Sequence, residues 1–294
     1  MTVITIRGIR QFTIVTLVLS SFCSTFAFFI PLNGSHFGVF GTTSSRFVHP
    51  SMLTGTPKDS TTQITSIPTK QLLLIRHGHS LANEWMDQEG NRWGDATFTD
   101  PPNLSDARLS HKGEQQARDL AIRLQDHHDW LQHIELVVVS PLTRTLQTME
   151  LGVFPCLSPS VPILAHDGMS ERVYTASDTG RTVSELTKEF PHVDFTMVPS
   201  DHWWFPTDTT DKSLELVEEW RPFGQGQEYS VPGEPMNVFQ ERMKRFQTWV
   251  ARRPEKSIVI VTHWAILKEW TGEEFENCES RLVEWDNQNQ DTYS

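Results

Sequence analysis

Three short clusters of arginine and histidine residues have the side chains needed to hold and attack a small anion. Arg76 and His77 lie in the first cluster, RHGHS, Arg144 closes the second, SPLTR, and His263 lies in the third, THW. Arginine donates paired hydrogen bonds that fit the oxygens of a phosphoryl group. A histidine nitrogen can attack phosphorus and form a phosphohistidine, which water or another acceptor then resolves. The clusters therefore favour phosphoryl chemistry.

The leaving alkoxide of such a reaction needs a proton, and one acidic segment offers several donors. The segment DGMSERVYTASDTGRTVSEL contains Asp167, Glu171 and Glu185. A carboxyl group that lies beside other negative charge keeps its proton to a higher pH, as a general acid requires. Glu171 is a candidate on these grounds, and the residue types alone leave the other two carboxyl groups open.

Apolar runs precede the three clusters and predict buried strands. They are LLLI at 72–75, IELVVV at 134–139 and SIVIV at 257–261. Continuous apolar runs of this length are typical of strands buried on both faces of a parallel sheet. Because ligands bind beyond the carboxyl ends of strands in such sheets, we expect the clusters to meet in one crevice.

Amphipathic helices are predicted between these strands. Ser110 can cap a helix whose apolar face extends to Leu124, and Ser140 can cap a second helix that runs to about Met149. A third helix is predicted over 234–252. Strands that alternate with helices indicate an α/β fold in three layers, with a doubly wound, mostly parallel sheet and helices on both faces.

Four motifs together resemble the histidine phosphatase superfamily, whose fold is called phosphoglycerate-mutase-like. They are RHGHSLAN, LSHKGEQQA, SPLTRTLQT and VTHW, which occur in the family's order over about residues 71–270. The resemblance implies that His77 is the phosphorylated nucleophile. It also implies that Arg76, Arg144 and His263 form the remainder of the phosphate pocket.

Further roles and one departure follow from the same resemblance. Asn83 is implied to lie near the phosphate, and Glu171 is implied to be the proton donor in preference to Asp167. The departure is His79, since many relatives carry Glu or Gln after the RHG motif. We expect no metal and no cofactor, because a cation bound by His77 and His79 would lie beside two arginines without a carboxylate cluster.

Each of these residues also has an ordinary structural alternative. Arg144 could form an ion pair with Glu150, and His263 could cap the helix that follows it. Asn83 could serve as a helix cap or a turn residue, and Glu171 could be a surface acid.

The motifs and the resemblance predict a phosphomonoesterase, similar to histidine acid phosphatases, that acts on a small phosphorylated metabolite. A phosphoglycerate-mutase-type phosphotransferase and a catalytically idle member that binds phosphorylated ligands are the alternatives. A mutase has to retain its intermediate product and exclude water, and only the Trp-rich segment at about 201–235 could form a lid.

This Trp-rich segment is predicted to be an insertion. Because its acids would repel polyanions, we expect a monophosphate substrate. They are Asp208, Asp211, Glu215, Glu218 and Glu219.

The first 69 residues are predicted to be a presequence that is removed from a domain at 70–294. Arg7 and Arg10 precede an apolar run typical of a signal peptide. Residues 34–69 are rich in Ser, Thr, Pro and Gly and are predicted to form no core. The stretch STFAF at 24–28 resembles the cleavage motif of bipartite presequences that direct proteins to complex plastids in algae. We expect a plastid location, with the secretory pathway or an uncleaved membrane anchor as alternatives.

Charge and cysteine content narrow the classes of partner. Residues 70–294 carry 21 basic and 36 acidic residues. This balance argues against nucleic acid and against stable membrane contact once the presequence is removed. The chain has three cysteines, of which Cys156 and Cys278 follow the presequence and are too far apart for a disulfide framework. The final segment, NCESRLVEWDNQNQDTYS, is polar, and we expect it to be frayed.

Overall fold

The computed structural model describes residues 69–126, 128–199, 201, 203–204 and 233–285, together with two strands nearer the amino terminus. The chain divides into two units, Met1–Thr62 and Gln63–Ser294. In the first unit, β1 (Thr13–Leu17) and β2 (Phe26–Ile30) pair antiparallel. Apart from these two strands, residues 1–68 of the predicted presequence lie outside the described residues. Most of the predicted insertion at 201–235 lies outside them as well.

A six-stranded sheet forms the centre of the second unit. Its strands lie in the order β6-β5-β4-β7-β3-β8. The first five are parallel to their neighbours, and β8 pairs antiparallel with β3 at one edge. The three predicted strands are the adjacent β4, β7 and β3, so the prediction of a mostly parallel sheet is confirmed. In chain order the strands are β3 (Lys70–Arg76), β4 (Leu136–Val139), β5 (Ile163–His166), β6 (Asp194–Met197), β7 (Ser257–Thr262) and β8 (Ser280–Trp285).

Helices cover both faces of this sheet. Leu73 and Val137 lie in a core cluster with α2, α4 and α5 on one face. Leu72 and Val138 lie in a second cluster with α6 and α7 on the other face. The predicted three-layer, doubly wound arrangement is therefore confirmed. The helices are α1 (Leu81–Met86), α2 (His111–Gln125), α3 (His128–Leu131), α4 (Thr143–Thr148), α5 (Val183–Glu189), α6 (Met236–Arg252) and α7 (Trp264–Thr271). Within the described residues, no helix has the length and apolar character needed to cross a bilayer.

The helix predicted after Ser110 is confirmed as α2. The Ser110 hydroxyl accepts a hydrogen bond from the Gly113 N–H at 3.2 Å, which satisfies a donor in the first turn. Leu120 and Leu124 on its apolar face are buried against the sheet. The third predicted helix is α6, which begins at Met236 instead of Glu234.

The predicted start of the second helix is wrong. Helix α4 begins at Thr143, and Ser140 does not cap it. The Ser140 hydroxyl lies 2.7 Å from His263 Nε2 instead. The side chain of Asp106 instead satisfies a free backbone donor at the start of α4. Its Oδ1 accepts a hydrogen bond from the Thr143 N–H at 2.7 Å. After Thr148 the chain continues as a π-helical turn, Met149–Val153, instead of ending near Met149.

The prediction of a frayed carboxyl-terminal segment is wrong for its first half, which forms β8. Strand β8 pairs with β3 in a register that places Leu282 opposite Leu73. Val283 and Trp285 alternate along β8 and pack against the α6–α7 core cluster. This packing holds β8 at the edge of the sheet. The polar composition of the carboxyl-terminal segment gives no indication of it.

Candidate active site

One cavity of about 490 Å³ lies at the carboxyl ends of the parallel strands. Arg76 and His77 reach it from the end of β3, and Arg144 reaches it from α4, which follows β4. Asn83 from α1 and Glu171, which follows β5, line it as well. The structure therefore brings five of the six predicted site residues to one cavity. The sixth, His263, follows β7 and is fully buried beside it, with its ring centroid 5.1 Å from that of His77.

The imidazole of His77 is held in one tautomer. Its Nδ1 lies 2.7 Å from the Gly78 carbonyl oxygen, which can only accept, so Nδ1 carries the hydrogen. The Nε2 atom then has a lone pair and accepts a hydrogen bond from Arg144 Nε at 3.3 Å. Burial and the charges of Arg144 and Arg76 lower the pKa of His77 well below its usual value. The side chain is therefore neutral at physiological pH, with Nε2 available as a nucleophile.

The turn that carries His77 is packed against the start of α2. A Cβ atom on Gly78 would lie 2.7 Å from the Gly113 carbonyl oxygen, and one on Gly113 would lie 1.9 Å from the His79 carbonyl oxygen. Side chains at these two positions would separate the segments. The glycines of the RHG and SHKG motifs thus fix the position of the histidine.

Arg144 is anchored by an acid that the sequence did not single out. Its Nη2 donates to Asp178 Oδ1 at 2.9 Å, and its Nη1 donates to the Ser177 carbonyl oxygen at 2.7 Å. The predicted alternative, an ion pair with Glu150, is wrong, since Glu150 lies 3.9 Å from His192 instead. Burial raises the pKa of Asp178, even though Arg144 acts in the opposite direction. The guanidinium is held in one orientation at the cavity wall.

Arg76 and His263 each contribute a buried polar atom that has no partner among the described residues. These atoms are Arg76 Nε and His263 Nδ1. Arg76 Nη1 is fixed by the Phe275 carbonyl oxygen at 2.6 Å, and burial lowers the pKa of this guanidinium. Burial and Arg144 lower the pKa of His263 well below its usual value. Buried polar atoms nearly always have a partner in proteins, so these two fit a site that receives a polar ligand.

His263 does not cap the helix it precedes. It occupies the N-cap position of α7, but its side chain makes no capping hydrogen bond. Its Nε2 lies 2.7 Å from Ser140 Oγ, which links the ends of β7 and β4. The predicted alternative of a simple helix cap is therefore wrong.

Glu171 is the only one of the three sequence-derived acids that lines the cavity. Its Oε1 accepts hydrogen bonds from the Arg172 N–H at 2.9 Å and the Ala265 N–H at 3.2 Å. Burial, assisted by the charge of Asp178, raises the pKa of Glu171 to about 7. Asp167 and Glu185 lie elsewhere: Asp167 bonds to the following backbone N–H, and the exposed Glu185 caps α5. Glu171 is thus a buried acid and not a surface one.

Asn83 combines the predicted position with its structural alternative. It borders the cavity, and its Oδ1 accepts from the Ser80 N–H at 3.0 Å in the capping box of α1. His79 is buried, with Nδ1 2.8 Å from Ser110 Oγ and Nε2 2.9 Å from Asp87 Oδ2. Both nitrogens of His79 are therefore engaged away from His77. In the described part of the chain, no three His, Cys, Asp or Glu side chains lie together as a metal site would require.

A buried ion pair that the sequence did not reveal fixes the segment that carries Glu171. Arg242 Nε and Nη2 donate to the two carboxylate oxygens of Glu234 at 2.6 and 2.8 Å. The same guanidinium donates to the carbonyl oxygens of Gly168, Ser170 and Glu171 at 3.1, 2.9 and 3.1 Å. Neither a motif nor periodicity marks this pair. Glu234 precedes α6, and Arg242 lies within that helix, eight residues further along the chain.

Comparisons with known proteins find similarity to one family and to two relatives from a plant. A family model described as the histidine phosphatase superfamily (branch 1) matches residues 72–208. Phosphoglycerate mutase-like protein 1 of Arabidopsis thaliana is 29% identical over 228 residues, which cover 67% of this chain and 69% of that protein. A second Arabidopsis thaliana protein, phosphoglycerate mutase-like protein, is 25% identical over 225 residues, covering 67% of this chain and 72% of the relative.

Two solved structures are similar at lower identity. The alpha-ribazole phosphatase of Shigella flexneri is 18% identical, covers 74% of this chain and 91% of its own, and has a TM-score of 0.42. The phosphoglycerate mutase of Bacillus anthracis is 15% identical, covers 74% of this chain and 88% of its own, and has a TM-score of 0.44.

Proposed function

We propose that this chain is a member of the histidine phosphatase superfamily, whose model matches residues 72–208, and that it is a phosphatase that hydrolyses a small phosphomonoester through a phosphohistidine, without a metal. Members of this superfamily are generally phosphatases or mutases. The observation that carries the proposal is the state of His77. Its Nδ1–H is bound to the Gly78 carbonyl, and its Nε2 lone pair lies beside Arg144 at a cavity. A buried neutral imidazole with this tautomer is prepared for nucleophilic attack.

In the first step, His77 Nε2 attacks phosphorus, a P–N bond forms, and the bond between phosphorus and the ester oxygen breaks. Arg76 and Arg144 hold the non-bridging oxygens, and His263 Nδ1 offers a further contact when Nε2 accepts from Ser140. These groups stabilise the charge of the transferring phosphoryl group. Glu171, with a pKa of about 7, gives its proton to the leaving alkoxide.

In the second step, water attacks the phosphohistidine. The Glu171 carboxylate left by the first step accepts a proton from this water, an O–P bond forms, and the P–N bond breaks. Inorganic phosphate leaves, and His77 recovers its lone pair at Nε2. The acid of the first step is therefore the base of the second, and the enzyme returns to its starting state.

The charges of the cavity support hydrolysis over a mutase reaction. Its arginines are Arg76, Arg92 and Arg144, and its acids are Asp87, Glu171 and Asp178. Arg144 is already paired with Asp178. A phosphoglycerate carries a carboxylate besides its phosphate, and for this second anion the cavity has one remaining arginine, Arg92, and one further acid, Asp87. The mutase alternative is supported by the names of the two Arabidopsis thaliana relatives and is tested below.

Hydrolysis of p-nitrophenyl phosphate tests the proposal, measured with and without a chelator. We expect chelator-resistant activity that is lost in His77→Ala and retained in His111→Ala, which replaces an exposed histidine at the start of α2. Acid-labile labelling of the protein by a radioactive phosphate ester should depend on His77 in the same way. Equal activity in His77→Ala would refute the nucleophile. Interconversion of phosphoglycerates without release of inorganic phosphate would establish the mutase.

A further inference from the structure

Resting on the proposed phosphatase function, we propose that the alcohol part of the substrate is an uncharged, planar ring that contacts the aromatic side chains of Trp93, Tyr174 and Trp264. These three side chains line the same cavity as His77 and Glu171. They come from three separate segments: Trp93 follows α1, Tyr174 follows Glu171, and Trp264 is the first residue of α7. Their convergence on one cavity defines a second recognition region beside the phosphate.

The three rings are held in place by their own contacts. The ring of Trp93 meets the rings of Tyr174 and Phe98 edge to face, each at a centroid distance of 5.0 Å. The Arg172 guanidinium lies 5.0 Å from the centroid of the Tyr174 ring. The indole N–H of Trp264 donates to Glu274. Rings that are fixed before binding lose little conformational entropy when a ligand packs against them.

The charges beside these rings favour an uncharged alcohol. Of the charged residues that line the cavity, four are assigned to phosphate binding and proton transfer or pair with them: Arg76, Arg144, Glu171 and Asp178. The two that remain are Arg92 and Asp87, which have opposite charges. Met86 adds apolar surface. Burial raises the pKa of Tyr174 to about 12, so its phenol is neutral as well. A second phosphate or a carboxylate on the substrate would gain little binding free energy in this region.

The size of the cavity agrees with a substrate of this kind. Its volume of about 490 Å³ lies within the range of about 300–1,000 Å³ that is usual for small-molecule sites. Aromatic rings prefer to meet other rings edge to face or in offset stacks, so a planar ring suits a region lined by three aromatic side chains. The substrate class is therefore a monophosphate ester of an aromatic or heteroaromatic alcohol.

A comparison of matched esters tests this inference with the full-length protein. Benzyl phosphate and 2-methoxyethyl phosphate have alcohols of similar acidity, so a difference between them reports contacts with the alcohol and not leaving-group quality. We expect kcat/KM for benzyl phosphate to be larger by about tenfold, the effect of one or two aromatic contacts. We expect 3-phosphoglycerate to be the poorest of the three.

Variants at Trp93 connect the preference to the rings. In Trp93→Ala, the ratio of kcat/KM for benzyl phosphate to that for 2-methoxyethyl phosphate should fall by about three- to tenfold. Trp93→Phe, which keeps a ring, should restore most of the ratio. Phe154→Ala is the matched control, since Phe154 is an exposed aromatic residue that does not line the cavity, and it should leave the ratio unchanged.

The outcomes separate this inference from the proposed function. A ratio near one, or a preference for 3-phosphoglycerate, would overturn the aromatic substrate class and leave the phosphatase intact. If no ester is hydrolysed, the proposed function falls. Calorimetric binding of benzylphosphonate and ethylphosphonate then decides the inference. Tighter binding of benzylphosphonate supports recognition of a ring, and equal dissociation constants would overturn it.

Discussion

Glu171 is buried and has a pKa of about 7, and its proposed role in proton transfer can be tested separately from its role in packing. The variant Glu171→Gln keeps the shape of the side chain and removes the proton. We expect it to lower kcat/KM for alkyl phosphates by about a hundredfold or more, because a poor leaving group needs the proton. For p-nitrophenyl phosphate, whose leaving group needs none, we expect a much smaller loss.

The matched control for this prediction is Glu185→Gln, which alters an exposed acid of the same segment at the cap of α5. It should leave both esters unaffected. Equal losses on the two ester types in Glu171→Gln would contradict the role of general acid.

The carboxyl neighbour of Glu171, Asp178, adds to the effect of burial on the pKa of this proposed acid. Glu171 must be protonated to act, so kcat/KM for an alkyl phosphate should fall as the pH rises through about 7. Burial raises the pKa of Glu171 most, the charge of Asp178 raises it further, and the charge of Arg144 lowers it. In Asp178→Asn, the negative neighbour is gone and Arg144 loses its partner. Both changes lower the pKa of Glu171, and we expect the falling limb of the pH profile to move to lower pH.

The profile of kcat/KM against pH measures this shift directly. Asp119→Asn, on the exposed side of α2, is the control and should leave the limb in place. A limb that stays near pH 7 in Asp178→Asn would show that the carboxyl pair is not what sets it.

At the scale of elements, helix α6 positions the segment that follows β5. The guanidinium of Arg242 bonds to the Gly168, Ser170 and Glu171 carbonyl oxygens and to the carboxylate of Glu234. In Arg242→Met, the carboxylate of Glu234 stays buried without its partner. We expect a loss of about 3–5 kcal/mol in the free energy of unfolding, as for other broken buried pairs. We also expect a larger loss of activity on alkyl than on aryl phosphates, because Glu171 is displaced.

Urea unfolding and the alkyl-to-aryl activity ratio measure the two effects separately. The control Arg245→Met breaks an exposed pair with Glu241 on the same helix and should change neither quantity by much. In the double variant Glu234→Gln/Arg242→Met, stability should return in part while the activity ratio stays low. A normal ratio in Arg242→Met would mean that the pair stabilises the fold without positioning the acid.

The elements that sequence reasoning predicted share a strong local signal. Strands β3, β4 and β7 are continuous apolar runs, and α2 has both a cap and an apolar face, so their types follow from burial alone. Strand β5 has only the four residues ILAH, and three of the four residues of β6 are exposed, so neither carries a pattern. Strand β8 has its apolar residues on one side of a polar segment, and pairing with β3 decides its structure.

The parts of the site that were missed depend on contacts between distant segments. Motifs in the family's order gave His77, Arg76, Arg144 and His263, and the resemblance favoured Glu171 within an acidic segment. Asp178, which anchors Arg144 across 34 residues, has no motif of its own. The start of α4 was misplaced because the hydroxyl of Ser140 bonds to a histidine 123 residues away. The hydrogen-bond partners of Asp178 and Ser140 are determined by tertiary packing, so the local spacing of residues in the sequence does not reveal them.

At the scale of the whole molecule, the first 69 residues are predicted to be a targeting presequence. They carry four basic residues and one acid, whereas the remainder of the chain is strongly acidic. We expect a fluorescent protein fused to residues 1–69 to enter the plastid of an alga with complex plastids, and a fusion of residues 1–33 to stop in the secretory pathway. Fluorescence microscopy measures both. A 1–69 fusion found outside the plastid would refute the hypothesis.

The contact of Arg76 Nη1 with the Phe275 carbonyl oxygen joins positions 199 residues apart. Strand β3, which His77 follows, is flanked by β7 and β8, and these two strands lie near the other end of the domain in the sequence. Closing such long loops is slow, because the chain loses conformational entropy before the contacts between the distant segments stabilise it. We therefore expect the proposed phosphate pocket to form late as the chain folds. Before β3 pairs with β7 and β8, the chain would lack Arg76 and His77 at the cavity, so the proposed reactivity should require the complete sheet.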